Sequence, residues 1–260
     1  MPLLDSHCHL GRYADRDAVI ERAQAAEVAV LAATARPSEA RDLAALLAPH
    51  PQVEVAVGFH PEAAGSVYNT TEVEILRSVI DDFAWVSEVG LDACIAGSTG
   101  PDFGNQPTAA AQRELFELVL DVAGPHRGFS VHSRGAAADT VATLAAAGVR
   151  HAVMHSYAGD RSVARGALEL GFYFSVHPWM LDDAQGRDLV RWLPADRLLL
   201  ETDGPYYPWS HRELEPADCT EVVVRVAEAR GRAAPELHDV MSRNSARIRE
   251  AVAHAAHDRN

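Results

Sequence analysis

The sequence predicts an α/β fold, a single (β/α)8 TIM barrel occupying residues 1–260. Three observations predict it. Eight short β-like runs alternate with Ala-rich helical stretches along the whole chain, the pattern of repeated parallel βα units. The length, 260 residues, is what one such barrel needs to enclose its core. Six of the eight runs end in titratable side chains, as happens where strand ends converge on one barrel mouth. A doubly wound open sheet is the alternative arrangement of the same pattern. No low-complexity segment, long charge block or Pro/Ser-rich linker interrupts the alternation.

The first run, Leu3–His9, contains LLDSHCH. Side chains alternate along a strand, so Asp5, His7 and His9 are expected on one face, with Ser6 and Cys8 on the other. Two histidines two residues apart on a strand can grip one ion. Val28–Ala33 is an apolar run, and Val53–Phe59 leads into His60 within GFHPE. Ala84–Val89 runs into SEVGLD, which carries Glu88 and Asp92. Ala109–Ala123 is helical, because Leu115, Phe116, Val119 and Val122 recur at helical spacing. Gly128–His132 ends in VHSR, with His132 and Arg134, and His151–His155 ends in MHSYAG. Phe172–Val176 precedes HPWM. Arg197–Thr202 closes the series in ETDGPY, with Glu201 and Asp203.

Composition narrows the chemistry. The net charge is −14, so a broad basic surface for nucleic acid is not expected; any such contact has to be local and metal-assisted. All 23 basic residues are arginine and lysine is absent. That excludes a Schiff-base lysine, a Walker-type lysine and a lysine carbamate bridging two metals. Cys8, Cys94 and Cys219 are odd in number, far apart and without a CxxC pair, which fits a reducing compartment. No segment is apolar enough to span a membrane, and MPLLDSHCH lacks the basic and apolar regions of a signal peptide. A cytoplasmic protein without membrane partners is expected.

Each strand-end motif alone has an ordinary structural explanation: a hydrogen-bonded core histidine, or Asp-Gly-Pro turn chemistry. Their order along a βα repeat points to a metal centre. His7, His9, His132 and His155 with Glu88 and Asp203 can hold two divalent ions and leave positions open for water and substrate. The mixed N/O set suits Zn2+, Mn2+ or Mg2+ equally. Two ions about 3.5–4 Å apart activate one water and clamp a phosphate. With lysine absent, Glu88 is the expected bridge. His7, His9 and Asp203 then hold one ion, and His132 and His155 the other. Asp203 is also a candidate general base.

The same residues resemble the TatD-type metal-dependent hydrolases. DSHCHL, GFHPE, SEVGLD, FSVHSR, MHSYAG, LGFYFS and LLLETDGPY occur in that family's order. Gln112 and Phe116 match its helix after strand four, and Asn244 its closing helical region. The resemblance implies a barrel of the amidohydrolase type with a divalent-metal site. It also implies deoxyribonuclease activity, including 3′→5′ exonuclease action on single-stranded DNA. It assigns the six metal ligands named above and gives His60 and Arg134 to the substrate phosphate, with His60, Glu88 and Asp203 as the catalytic set.

Three mouth loops depart from the family pattern: Ala93–Gln106, Val176–Met180 and Arg212–Pro216. They leave open a metal hydrolase acting on an amide, lactone or aminoacyl ester, or a subunit of a multi-protein assembly such as a phage-defence system. Tyr206, Tyr207 and Trp209 follow Asp203 directly, and Tyr157 and Trp179 follow neighbouring strands. Such aromatics either stack on bases or pack the rim. Arg134 serves a phosphate or a rim salt bridge. His177 is either a proton donor near the site or a surface residue. His254 and His257 are expected to be solvated.

Overall fold

Eight parallel strands form the centre of the structure, a computed structural model that describes residues 1–65, 70–96, 99–100, 104–105, 107–209 and 212–257. They are β1 (Leu3–Cys8), β2 (Val28–Ala32), β3 (Val53–Val57), β4 (Trp85–Gly90), β5 (Gly128–His132), β6 (His151–Met154), β7 (Tyr173–Val176) and β8 (Leu198–Leu200). They pair in the order β1-β8-β7-β6-β5-β4-β3-β2 and close into a barrel. The (β/α)8 expectation therefore holds, and the open sheet is excluded.

Around the barrel lie α1 (Arg16–Ala25), α2 (Pro37–Leu47), α3 (Thr70–Val79), α4 (Ala109–Ala123), α5 (Ala137–Ala146) and α6 (Arg161–Glu169). They are followed by α7 (Pro178–Asp182), α8 (Ala184–Trp192), α9 (Cys219–Arg230) and α10 (Ala234–His257). Helix α4 shows why the sequence was readable here. Thr108 caps it by accepting from the Ala111 amide, and Leu115, Phe116 and Val119 are buried. Among the described residues, no helix is long and apolar enough to cross a membrane.

The core has an inner and an outer part. Leu4, Ala29, Leu31, Ala56, Trp85, Val153, Tyr173 and Leu199 form one buried cluster with Ile248 and Val252 of α10. Leu4, Ala29, Trp85 and Tyr173 stand in the first two residues of their strands, so α10 packs under the end opposite the mouth. A larger cluster joins the outward strand residues to the surrounding helices. Asn244 ties α10 in place: its Nδ2 donates to the carbonyls of Ala195 and Leu198, at 2.9 and 2.8 Å.

Two strands carry a bulge, and both bulges lie at the mouth. Asp5 pairs with Val30 but Cys8 with Ala32, so β1 holds an extra residue between them. Val86 pairs with Phe129 but Val89 with Val131, so β4 holds an extra residue around Ser87–Glu88. A bulge breaks the two-residue period and re-aims the side chains. Asp5 therefore does not share the face of His7 and His9, as alternation had predicted. Its carboxyl accepts from the Thr202 amide at 3.0 Å and engages the Thr202 hydroxyl at 2.5 Å.

The β4 bulge is held by its neighbours. The Glu88 amide donates to Thr34 O at 2.8 Å, and the Phe59 amide donates to Glu88 O at 3.0 Å. Gly58 makes this approach possible, since a Cβ there would lie 1.7 Å from Thr34 O and 2.4 Å from the Glu88 nitrogen.

Candidate metal centre

The two bulges bring β1 and β4 side chains into one space at the mouth. β8 adds Asp203, whose backbone is left-handed (φ 52°), a conformation Asp tolerates better than most residues. The Asp203 amide donates to His7 O at 2.9 Å, and the His9 amide to Gly204 O at 2.8 Å. The first and last strands are thus clipped together where they deliver His7, His9 and Asp203.

Glu88 is the hub. Its Oε2 lies 3.6 Å from His7 Nε2 and 3.4 Å from His9 Nε2. Its Oε1 lies 2.7 Å from His132 Nδ1, 3.6 Å from His60 Nε2 and 3.7 Å from His155 Nε2. Asp203 Oδ1 lies 3.8 and 3.5 Å from His7 and His9, and Oδ2 lies 4.0 Å from His155. His7 stacks on His155 with ring centroids 3.7 Å apart.

Three groups bring their ligand atoms within reach of one ion: His7 with His9 and Glu88, His7 with His155 and Asp203, and His60 with Glu88 and His132. The sequence-based division differs, because it paired His132 with His155 and left His60 to the substrate. Local hydrogen bonding bears on His60. Its Nδ1 accepts from the Glu62 amide at 3.2 Å, so in the neutral ring the proton is on Nε2, the atom facing Glu88. A protonated nitrogen donates rather than ligates.

Three of the other imidazoles, those of His7, His155 and His132, are oriented from behind. Ser130 Oγ lies 2.8 Å from His7 Nδ1. Glu201 Oε2 lies 2.8 Å from His155 Nδ1. Asp92 Oδ2 lies 2.9 Å from His132 Nε2. Each leaves the opposite nitrogen for the centre, the usual arrangement behind histidine ligands. Asp92 is itself held, because Gln112 accepts from its amide at 2.7 Å and donates to its carbonyl at 3.0 Å. Glu201 accepts from Ser156 Oγ at 2.5 Å and from Ser175 Oγ. Sequence reasoning gave no orienting role to Asp92, Glu201 or Ser130. The first two sit in EVGLD and ETD and could have been read as partners of histidines on neighbouring strands.

The charges fit a cation. Glu88 and Asp203 are buried, 4 % and 9 % exposed. Their ion-pair partners among the described residues are all imidazoles, with no arginine. Buried carboxylates need a compensating positive charge. Burial would raise Glu88, but His60, His7 and the His132 hydrogen bond hold it well below the usual carboxyl range. Burial works against charge on His9, yet Asp203 and Glu88 raise it to about 9. His132, partly buried, is raised to about 10 by Asp92 and Glu88. His7 goes down, through burial and the neighbouring His155. A neutral ring beside two ionised carboxylates is a ready donor for a divalent ion, and the N/O set matches Zn2+, Mn2+ or Mg2+.

The remaining expectations divide. Tyr206 is at the mouth, 55 % exposed and edge-on to His9 at 4.9 Å. Tyr207 is also exposed and lies 4.7 Å from the His177 ring. Arg134 is exposed just past β5. Tyr157, by contrast, is fully buried, packs on Phe174 and donates to Asp160 O at 2.8 Å. It cannot stack on a base. Trp179 packs partly buried against the core, and the side chain of Trp209 lies outside the described residues.

His177 is buried, so it is not a surface residue. Its Nδ1 accepts from the Trp179 amide at 3.1 Å, and its Nε2 meets Thr202 O at 3.0 Å. Both nitrogens are engaged, which leaves no proton to donate to the site. His254 and His257 are exposed on α10. Of the departing loops, Val176–Met180 enters α7, and residues 212–213 pair with 208–209. In Ala93–Gln106, residues 99–100 pair with 104–105, while 97–98, 101–103 and 106 lie outside the described residues.

The model of the family described as TatD related DNase matches residues 4–249. The chain is 35 % identical to the metal-dependent hydrolase YcfH of Escherichia coli, covering 95 % of this chain and 96 % of that one. It is 31 % identical to a protein of Cronobacter sakazakii named 3′-5′ ssDNA/RNA exonuclease TatD, with 90 % and 91 % covered. It is 27 % identical to human deoxyribonuclease TATDN3, with 95 % and 94 % covered. The fold matches the crystal structure of YJJV, a TatD homologue of Escherichia coli, with a TM-score of 0.81 at 24 % identity over 94 % of this chain and 96 % of that one. With its barrel, its buried His/carboxylate centre and a family match over nearly its whole length, this chain belongs to the TatD-related DNase family and is a metal-dependent hydrolase.

Proposed function

We propose that this enzyme is a divalent-metal-dependent deoxyribonuclease that removes nucleotides from the 3′ end of single-stranded DNA. One observation carries the reading: imidazoles from four strand ends surround buried Glu88 at the barrel mouth. The names of the Cronobacter and human relatives support the substrate class.

In this reading His7, His9, Glu88, His132, His155 and Asp203 would hold the divalent metal. Bound ions supply Lewis acidity toward the phosphodiester and a water made acidic enough to attack at neutral pH. Asp203, kept ionised by His155 and His9 against its burial, would take up a proton from an attacking water. The His60 Nε2 proton points into the centre and donates to a phosphate oxygen. Arg134 meets the phosphate from the exposed side, and Tyr206 offers a face to a base. Such stacking contributes about 1–3 kcal/mol per base.

The test is nucleotide release from end-labelled single-stranded DNA. Wild type and Glu88→Ala are compared after chelation and re-addition of Mg2+, Mn2+ or Zn2+. The expected result is metal-restored cleavage in wild type alone, with mononucleotides released from the 3′ end. Folded protein that binds metal but cleaves no DNA, while turning over esters, lactones or amides, overturns the proposal in favour of another bond.

A further inference from the structure

A second concavity opens beside the metal centre. It lies between β1, α1 and α2, has a volume of about 360 Å³, and shares His9 with the centre as a common wall. One side is apolar: Leu43 and Leu46 of α2 line it, and Leu46 is 50 % exposed. The other side carries Arg12 and Arg16.

The two arginines differ. Arg12 Nη2 donates to Glu39 at 2.7 Å, and the Arg12 side chain also reaches the Tyr206 hydroxyl. Arg16 has no such commitment. Its Nε is buried without a hydrogen-bond partner, and the guanidinium forms no ion pair among the described residues. A buried, unpaired guanidinium nitrogen is costly; Arg230 Nε is buried in the same way, but its Nη1 donates to the Val190 and Leu193 carbonyls, whereas no hydrogen bond of the Arg16 side chain is seen among the described residues. Asp42 also lines the space, but Arg16 does not bridge to it.

We propose that this groove holds a deoxynucleotide next to the scissile phosphate, with its base against Leu43 and Leu46 and its phosphate on Arg16. The chemistry suits a mononucleotide: two leucine side chains for the base and one guanidinium for an oxyanion. Tyr206, touching both His9 and Arg12, stands between groove and centre. The proposal names a substrate subsite and therefore rests on the nuclease reading for its purpose, though not for its existence.

Two measurements test it. The first is calorimetric titration of chelator-treated protein with dAMP, deoxyadenosine and inorganic phosphate. The expected result is binding of dAMP at least tenfold tighter than either part alone. Arg16→Gln and Leu46→Glu are each expected to weaken dAMP binding at least tenfold. The second is the ratio of kcat/KM on a single-stranded oligonucleotide to that on bis(p-nitrophenyl) phosphate, which is expected to fall at least tenfold in both variants. Circular dichroism and Tm check that the variants fold, and Leu46→Glu, altered at an exposed position, gives an independent arm. Unchanged dAMP binding in both folded variants overturns the subsite, and so does inorganic phosphate binding as tightly as dAMP. If dAMP binds through Arg16 and Leu46 but the loaded enzyme cleaves no DNA, the subsite stands and the nuclease reading falls.

Discussion

Asp92 and Glu201 act at one remove from the chemistry. Neither belongs to the groups that can hold an ion, yet each engages the rear nitrogen of a histidine that does. Replacing either with its amide removes a charge but keeps the shape. Asp92→Asn and Glu201→Gln are therefore expected to weaken metal binding about 10–100-fold, read by competition with a chromophoric chelator. Asp203→Asn acts on the group proposed to accept the proton. Its hydrolysis rate is expected to fall roughly 10²–10⁴-fold, with the secondary structure unchanged by circular dichroism. His151 lies at the opposite end of the barrel, at the start of β6. Burial, His126 and Arg150 push its pKa below the ordinary 6.5. The unfolded chain then takes up a proton that the native state resists, so stability is lost as pH falls through 6.5 toward the lower folded value. His151→Gln is expected to reduce the fall in Tm between pH 7 and pH 5.

The bulges in β1 and β4 are the elements that convert a regular barrel into a centre. An unbroken β1 would alternate Asp5 with His7 into the same space and place a third carboxylate there. The extra residue turns Asp5 away to Thr202, where burial raises its carboxyl to about 8. The β4 bulge depends on the empty space above Gly58. A methyl group there meets backbone atoms of Thr34, just past β2, and of Ser87 and Glu88 in β4, which cannot move as a side-chain tip does. Gly58→Ala is expected to cost at least the ~1–3 kcal/mol of ordinary overpacking, measured by urea unfolding, and to weaken metal binding as Glu88 shifts.

At the scale of the whole molecule, the surface and the centre carry opposite messages. Net charge is −14, yet the proposed substrate class is polyanionic. Binding must then rest on a few local contacts. With one or two phosphates neutralised, the logarithm of affinity for single-stranded DNA is expected to fall with log salt at a slope no steeper than about −1.5. Filter binding or fluorescence anisotropy from low to moderate salt measures it. The centre draws its ligands from both ends of the barrel strand series, so ions bound there stabilise the closed barrel. With metal about 100-fold above its Kd, chelation is expected to lower Tm by roughly 5–10 °C, as one cooperative transition in calorimetry.

Strand positions, the order of the ligating motifs and the absence of a lysine bridge were all legible in the linear chain. Apolar runs and helical spacings are local properties, and a βα repeat leaves few ways to arrange them. What pairing decides was hidden. The β1 bulge exists only relative to β2, so the alternation rule misplaced Asp5. Strand β8 stops at Leu200 rather than Thr202, because the Thr202 and Asp203 amides bond to Asp5 and His7 instead of continuing the ladder. Tyr157 and His177 read as mouth residues by their sequence neighbours, and only packing showed both to be buried and fully engaged. The same holds for the second-rank partners of the histidines and for the groove at Arg16. Each is a contact between elements far apart in the chain, set by how the barrel closes, and closure is a property that no local stretch of sequence possesses.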